Sequence, residues 1–131
     1  MKTLNAIIER GEDGFYAYVE QIDGCVAGGL TYSEVKENLE EMINLFLDEH
    51  PSLKLIYANG YRLKFEVSLQ SVFELLPEVN ISQLAKLGNI NPGLLRQYVS
   101  GSKKASELQA ERVMKAIEQL INKLNSISLT T

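Results

Sequence analysis

The chain has 131 residues, enough for one ordinary domain or two small ones, and a net charge of −4 that, if evenly spread, would argue against nucleic-acid binding. Its composition, with 45% hydrophobic and 23% charged residues, excludes a disordered or collagen-like chain, and a single cysteine excludes an internal disulfide framework. No apolar run approaches the ~18 residues of a membrane span and the first residues lack a signal-peptide pattern, so we expect a cytoplasmic protein without a membrane partner.

The first part of the chain carries strand and turn signals. Residues 4–9 are mostly apolar, residues 11–14 form a turn cluster, and residues 15–20 are rich in aromatic residues, which together predict a β-hairpin. Asp23 and Gly24 predict a second turn, after which residues 25–28 are expected to form a third strand.

A long amphipathic helix follows. Thr31 and Glu34 have the spacing of a capping box, and Pro51 is expected to end the helix. Its apolar residues recur at helical spacing: Val35, Leu39, Met42, Ile43, Phe46 and Leu47. Residues 61–69 then alternate between apolar and polar, which predicts a half-buried antiparallel strand. The order of elements predicts an α+β domain over residues 1–69, with the helix packed on one face of the sheet.

From Gln70 onward the strand pattern gives way to helical patterns, so we place a second, all-α domain at residues 70–131. Short helices are predicted at residues 71–76, 81–87 and 92–99, and a long helix from the capping residue Ser106 to about Asn125, before a polar tail that frays. The apolar stripe of the long helix either closes the core of this domain or pairs with a second copy: Ala110, Met114, Ile117, Ile121 and Leu124.

The charge is distributed unevenly between these halves. Residues 1–69 carry 6 basic and 12 acidic side chains, whereas residues 70–131 carry 7 basic and 5 acidic ones. The asymmetry is either an ordinary fluctuation of composition or a sign of two modules with different partners. Because phosphates attract cationic surfaces, we expect any nucleic-acid contact in the second half.

Residues 82–99 have the helix, short turn and helix of a helix-turn-helix motif. Ala85 is small where the two helices cross, Ile90 fills the turn, and Leu95 with Tyr98 or Val99 anchors the second helix from beneath. Four positions are then left near the outer surface for DNA: Asn91, Gly93, Arg96 and Gln97.

The side-chain chemistry at these positions suits the major groove. Arginine can pair with guanine, glutamine or asparagine with adenine, and a glycine lets the backbone approach DNA closely. The loop that follows can contact phosphates through four residues: Ser100, Ser102, Lys103 and Lys104. The alternative is a plain four-helix bundle with arginine and lysine on its surface.

Residues 82–120 resemble the Cro/repressor class of helix-turn-helix. Gln83-Leu84-Ala85 matches the second helix of that class, and Gly101-Ser102-Lys103-Lys104-Ala105-Ser106 matches the turn before its closing helix. Asn91-Pro92 departs from the pattern, because the class more often opens its recognition helix with serine or threonine.

Residues 1–69 resemble the HicB antitoxin family. Residues 13–19 and 23–35 carry the similarity, with departures where Asp23 replaces the usual proline and Val35 the usual alanine. The resemblance implies a degenerate RNase H-like fold, binding to an HicA-like mRNA-cleaving toxin, and repression of the protein's own operon.

Catalysis and cofactor binding find little support in the residue pattern. A two-metal nuclease site needs several carboxylates converging from strand centres, whereas Asp13 and Asp23 fall in predicted turns. His50 is the single histidine, and its place at a helix end suits the helix dipole. We therefore expect no enzymatic activity, no metal and no cofactor.

These observations predict an antitoxin that binds double-stranded operator DNA through its second half and an HicA-like toxin through its first. A palindromic operator would require a homodimer or a higher homo-oligomer. Two other classes stay open: a stand-alone transcriptional regulator whose first half senses a small molecule, and an enzyme such as a nuclease.

Overall fold

The computed structural model describes residues 1–129 and divides the chain into two compact units, of which the second begins at Leu69. The first unit contains β1 (Lys2–Arg10), β2 (Phe15–Val19), β3 (Val26–Gly29), α1 (Tyr32–Glu49), α2 (Pro51–Ile56) and β4 (Tyr61–Ser68). The second unit contains α3 (Leu69–Phe73), α4 (Ile81–Leu87), α5 (Pro92–Ser100), the two-residue strand β5 (Ala105–Ser106) and α6 (Glu107–Ser126). The predicted α+β class, with a strand-rich first half and a helical second half, is confirmed.

The strands of the first unit lie in the order β3-β2-β1-β4. β1 and β2 form the predicted antiparallel hairpin, with Ile8 opposite Ala17. The prediction of an antiparallel strand at residues 61–69 is wrong, because β4 pairs in parallel with β1, and Ala6 lies opposite Phe65. Alternation of apolar and polar residues indicates on which face of the sheet each side chain lies, but not in which direction the strand runs. The connection from β3 to β4 contains α1 and α2 and is long enough to allow a parallel pair. The strand also ends one residue early, since Leu69 begins α3.

Helix α1 begins and ends where its sequence signals predict. The Oγ1 atom of Thr31 accepts a hydrogen bond from the backbone N–H of Glu34 at 3.1 Å, and the Glu34 carboxylate accepts one from the N–H of Leu30 at 3.0 Å. Pro51 follows the helix and also occupies the first turn of α2, a short helix that the sequence patterns did not indicate.

The core of the first unit lies between α1 and the sheet. The buried face of α1 consists of four residues of the predicted stripe: Val35, Leu39, Ile43 and Leu47. They share one hydrophobic cluster with Leu4, Ala6 and Ile8 of β1, whereas Met42 is 37% exposed. The layer predicted for this unit, a helix on one face of a sheet, is therefore present.

The hairpin between β1 and β2 is fixed by one arginine. The Nη1 atom of Arg10 donates hydrogen bonds to the carbonyl oxygens of Gly11 at 2.6 Å and Gly14 at 2.7 Å. The Arg10 guanidinium also lies 4.8 Å from the centre of the Phe15 ring, a cation–π distance.

Three helices of the second unit begin at side-chain caps. The side-chain oxygens of Asn80, Asn91 and Ser106 accept hydrogen bonds from the backbone N–H three residues further on, at 3.0, 3.0 and 3.2 Å, and so open α4, α5 and α6. Helix α3 occupies residues 69–73 rather than the predicted 71–76. Two residues of the predicted tail, Thr130 and Thr131, lie outside the described part of the chain.

The end of α4 packs closely against α6. A Cβ atom at Gly88 would lie 2.5 Å from the Cβ atom of Ala116, so a residue with a side chain does not fit there without a shift.

Between residues 1 and 129, no helix is long and apolar enough to cross a membrane.

Candidate nucleic-acid interface

Helices α4 and α5 and the turn between them form a helix-turn-helix with a buried underside. The backbone N–H of Ile90 donates to the carbonyl oxygen of Ala85 at 2.8 Å, and both residues are buried. Asn89 adopts a left-handed conformation with φ of 54°, which asparagine tolerates better than most residues. Leu95 and Tyr98 are buried beneath α5, as the sequence predicts. The buried underside fixes which edge of α5 faces outward.

The four positions predicted to contact DNA through α5 are all exposed: Asn91, Gly93, Arg96 and Gln97. The Oδ1 atom of Asn91 accepts the capping hydrogen bond from the N–H of Leu94 at 3.0 Å. A bidentate contact to adenine needs both the amide oxygen and the amide nitrogen, so the capping bond competes with it. Asn91 can therefore offer its amide nitrogen to a base while it caps the helix.

Arg96 is held by a residue that the sequence patterns did not single out. Its Nη1 atom donates to the Oγ atom of Ser82, at the start of α4, at 3.3 Å. The contact joins the two helices of the motif across their exposed side and restricts the arginine before any ligand is bound. Because the residues are 14 positions apart in sequence, no local pattern could indicate the pair.

The loop after α5 is folded around one carbonyl group. The carbonyl oxygen of Gln97 accepts from the hydroxyl of Ser100 at 3.2 Å, the hydroxyl of Ser102 at 3.3 Å and the backbone N–H of Lys103 at 3.2 Å. The two serine hydroxyls are 3.1 Å apart. The serines predicted as phosphate contacts therefore also hold the loop together, and the exposed Lys103 and Lys104 extend from an ordered base.

Gly101 is required at the start of this loop for two reasons. Its φ of +83° lies in the left-handed region, where glycine is favoured at a helix C-terminus. A Cβ atom there would also overlap the end of the exposed Gln70 side chain, which would have to move. Position 101 therefore controls how α5 ends and where the two lysines begin.

The first unit carries an exposed aromatic and acidic face on its sheet. Tyr16 is 53% exposed and pairs across strands with Glu9, while Tyr18 lies next to Val26, which is 56% exposed. Burial and the carboxylates of Glu9 and Glu20 raise the pKa of Tyr18. This face thus combines aromatic and apolar area with negative charge.

The single histidine, His50, and the single cysteine, Cys25, both pack within the first unit. The His50 ring stacks on Phe46 at 4.1 Å between centres, and its Nδ1 atom lies 2.7 Å from the Phe46 carbonyl oxygen. Cys25 is buried, and burial raises the pKa of its thiol. In residues 1–129, no group of three or more histidine, cysteine, aspartate or glutamate side chains is placed to hold a metal ion.

Comparison with known proteins finds a relative of part of this chain. A UPF0150 protein from Helicobacter pylori (strain J99) is 41% identical to this chain over 56 residues, which cover 43% of this chain and 78% of the relative. No protein-family model matches the chain, and no solved structure matches it. The degenerate RNase H-like fold that the HicB resemblance implies therefore stays a prediction.

Proposed function

The chain belongs to the UPF0150 family, and from the HicB resemblance of residues 1–69 together with the fold of the second unit we propose that it is a HicB-type antitoxin. In this proposal the second unit represses the protein's own operon by binding operator DNA. The first unit binds and neutralises an HicA-like, mRNA-cleaving toxin. The observation that carries the proposal is the helix-turn-helix of α4 and α5, whose underside is buried and whose polar edge is exposed.

The electrostatics of the second half support a DNA ligand. From Ser82 onward the chain carries 7 basic and 3 acidic side chains. Arg96 on α5 and the lysines at 103 and 104 are all exposed. An arginine on the helix can read a guanine edge, and lysines in the following loop can neutralise phosphates. Base contacts and phosphate contacts are thus supplied by adjacent segments.

The charge of the first half supports a basic protein partner. Residues 1–69 have twice as many acidic as basic side chains. The exposed face with Tyr16 and Val26 adds apolar area beside Glu9 and Glu20. A toxin that binds RNA must present a positive surface, and complementary potentials speed encounter and favour the correct partner. Covering that surface would prevent the toxin from binding mRNA.

DNA binding is tested with fluorescently labelled duplexes. One duplex is taken from the region upstream of the protein's own gene, and the control duplex has the same composition in scrambled order. Fluorescence anisotropy should show tighter binding to the upstream duplex at physiological salt, because base contacts add to the phosphate contacts. Equal affinity for both duplexes would contradict the repressor half of the proposal.

Toxin binding is tested by co-expression with the neighbouring open reading frame. A short basic protein encoded there should co-purify with this chain, and its RNA-cleaving activity should be absent from the complex and present after separation. Metal-dependent cleavage of RNA by this chain alone would instead establish a nuclease. A regulator that senses a small molecule would bind the upstream duplex without any toxin gene beside it.

A further inference from the structure

A groove lies between α4 and α6 in the second unit. Its volume of about 380 Å³ falls within the ~300–1,000 Å³ that is usual for small-molecule sites. Three leucines contribute its apolar lining: Leu84, Leu87 and Leu120. Leu84 is 3% exposed and Leu87 is 36% exposed, so part of this lining is buried and part is accessible from solvent. An apolar chain that enters the groove is therefore removed from water.

Two lysines give the same groove a positive charge. Lys86 on α4 and Lys123 on α6 both line it, and both are exposed. Neither lysine forms an ion pair with another residue between 1 and 129. Gln83 also lines the groove, and its side chain forms no hydrogen bond within that same range. Among the described residues that line the groove, none is acidic. The groove thus offers cationic and amide donors without a carboxylate to occupy them.

We propose that this groove binds a small amphipathic carboxylate, a free molecule with an apolar tail and one carboxylate group. The tail packs against the three leucines, where the burial of each methylene group is favourable. The carboxylate pairs with Lys86 and Lys123 and accepts a hydrogen bond from the amide of Gln83, since charge-assisted hydrogen bonds are the strong ones. A wholly apolar ligand would leave both ammonium groups unpaired, and a small inorganic anion would leave the leucines in contact with water.

The size of the groove favours a small molecule over a protein segment. Seven residues of the described chain line it, whereas a stable protein–protein interface takes ~20–30 residues on each side. A bound molecule contacts both α4 and α6, so it should stabilise the second unit by mass action. The site goes beyond the proposed function and does not depend on it, because carboxylate binding is measurable without DNA and without a toxin.

The test uses octanoate and the full chain, and it follows the amide proton and nitrogen chemical shifts by NMR. Octanoate should cause saturable shifts in α4 and in the last turns of α6, with a Kd on the order of 1 mM, and none in the first unit. Octylammonium has the same tail and the opposite charge, and it should bind about tenfold more weakly because the lysines repel it. Acetate has the carboxylate without the tail and should not saturate the site at the same concentrations.

Substitutions locate the site. The double variant Lys86→Gln and Lys123→Gln removes both charges of the groove and should weaken octanoate binding on the order of fivefold. The matched control, Lys2→Gln with Lys64→Gln, makes the same change of charge at two exposed lysines of the first unit and should bind octanoate as the wild-type chain does. Leu87→Gln tests the apolar lining and should also weaken binding, because it places an amide against the octanoate tail.

The amide spectrum of each variant also shows whether its fold is kept, and if Leu87→Gln unfolds, the lysine double variant decides the question. The proposal is overturned by the absence of saturable shifts in α4 and α6, by equal affinities for octanoate and octylammonium, or by an unchanged affinity of the lysine double variant. Shifts in α4 and α6 that depend on protein concentration before octanoate is added would assign the groove to a protein occupant and overturn the proposal as well.

Discussion

The helices of the two units differ in length and in how many side chains they bury. In the first unit the 18-residue helix α1 lies on a sheet and buries four large residues, while Glu37, Glu40 and Glu41 face outward. In the second unit α4 and α5 have seven and nine residues, bury two each, and begin at asparagine caps. Stability of the first unit therefore depends on the burial of apolar side chains. In the second unit, α4 and α5 bury few side chains and leave a polar edge exposed. Substitutions should separate the two roles.

The largest expected effect is on the core of the first unit. Leu39→Ala removes a fully buried side chain between α1 and the sheet and should lower the free energy of unfolding by ~2–5 kcal/mol. Leu45→Ala on the same helix, where the residue is 56% exposed, should change it by less than ~0.5 kcal/mol. Urea unfolding followed by circular dichroism measures both. Equal losses for the two variants would show that α1 does not pack as described.

The next largest effect is expected on DNA affinity when a residue on the polar edge of α5 is replaced. Arg96→Ala should cost ~1–3 kcal/mol of binding to the upstream duplex and little stability, because the residue is exposed. Arg62→Ala, an exposed arginine on β4, is the matched control and should leave affinity unchanged.

The contact between Ser82 and Arg96 adds a finer test of that edge. Ser82→Ala should reduce affinity by less than Arg96→Ala does, because it removes the restraint on the arginine and not the arginine itself. If the two variants lose the same affinity, Ser82 contacts DNA directly. If neither loses any, α5 is not the recognition helix.

A substitution in the loop after α5 should change the salt dependence of DNA affinity rather than its sequence specificity. Lys103→Ala should weaken binding to the upstream and the scrambled duplex by a similar factor. It should also reduce the slope of log affinity against log salt by ~1, because one phosphate contact is lost. Anisotropy titrations at several salt concentrations measure the slope. A loss confined to the upstream duplex would instead assign Lys103 to base readout.

The smallest expected effect is a pH dependence in the first unit. Burial, followed by the carboxylates of Glu9 and Glu20, raises the pKa of Tyr18 above its ordinary value of 10.0. The folded state then binds the phenol proton more tightly than the unfolded state does. The resulting stabilisation is complete below pH 10.0 and is lost as pH rises through the raised pKa.

Tyr18→Phe isolates this contribution, because it removes the ionisable hydroxyl and keeps the ring. Urea midpoints measured from neutral pH to above pH 10.0 should fall less steeply for Tyr18→Phe than for the wild-type chain. Parallel curves would show that the hydroxyl of Tyr18 has the same pKa in both states.

Local signals predicted the helices α1, α4, α5 and α6 well, whereas α2 was missed and α3 was placed two residues late. Thr31 and Pro51 gave the ends of α1, and Asn91, Pro92 and Gly101 gave those of α5, because caps, proline and a left-handed glycine act within one turn of the residues that they affect. The four strands of the first unit were found by their composition and alternation, whereas the two-residue strand β5 in the second unit was not predicted. The parallel direction of β4 was missed because it depends on pairing with β1, which is 59 positions away in sequence.

In the candidate DNA-binding site, too, local patterns predicted some features and missed others. The outward positions on α5 followed from helical spacing once the buried residues were assigned. Three contacts within the site were not foreseen: Ser82 with Arg96, the hydroxyls of Ser100 and Ser102 with the Gln97 carbonyl, and Gln70 against Gly101. Each of them depends on side-chain placement or on packing between separate elements, which periodicity does not encode.

The sequence by itself determined where the capped helices of this protein begin, which face of the long helices is apolar and how charge divides between the halves. These properties arise from interactions between residues within a few positions of one another. Only the tertiary structure decided the direction of β4, the restraint on Arg96 and the exposure of the last turns of α6. Those outcomes depend on which surfaces meet, and the same amphipathic pattern is compatible with a buried stripe at Val113 and an uncovered one at Leu124.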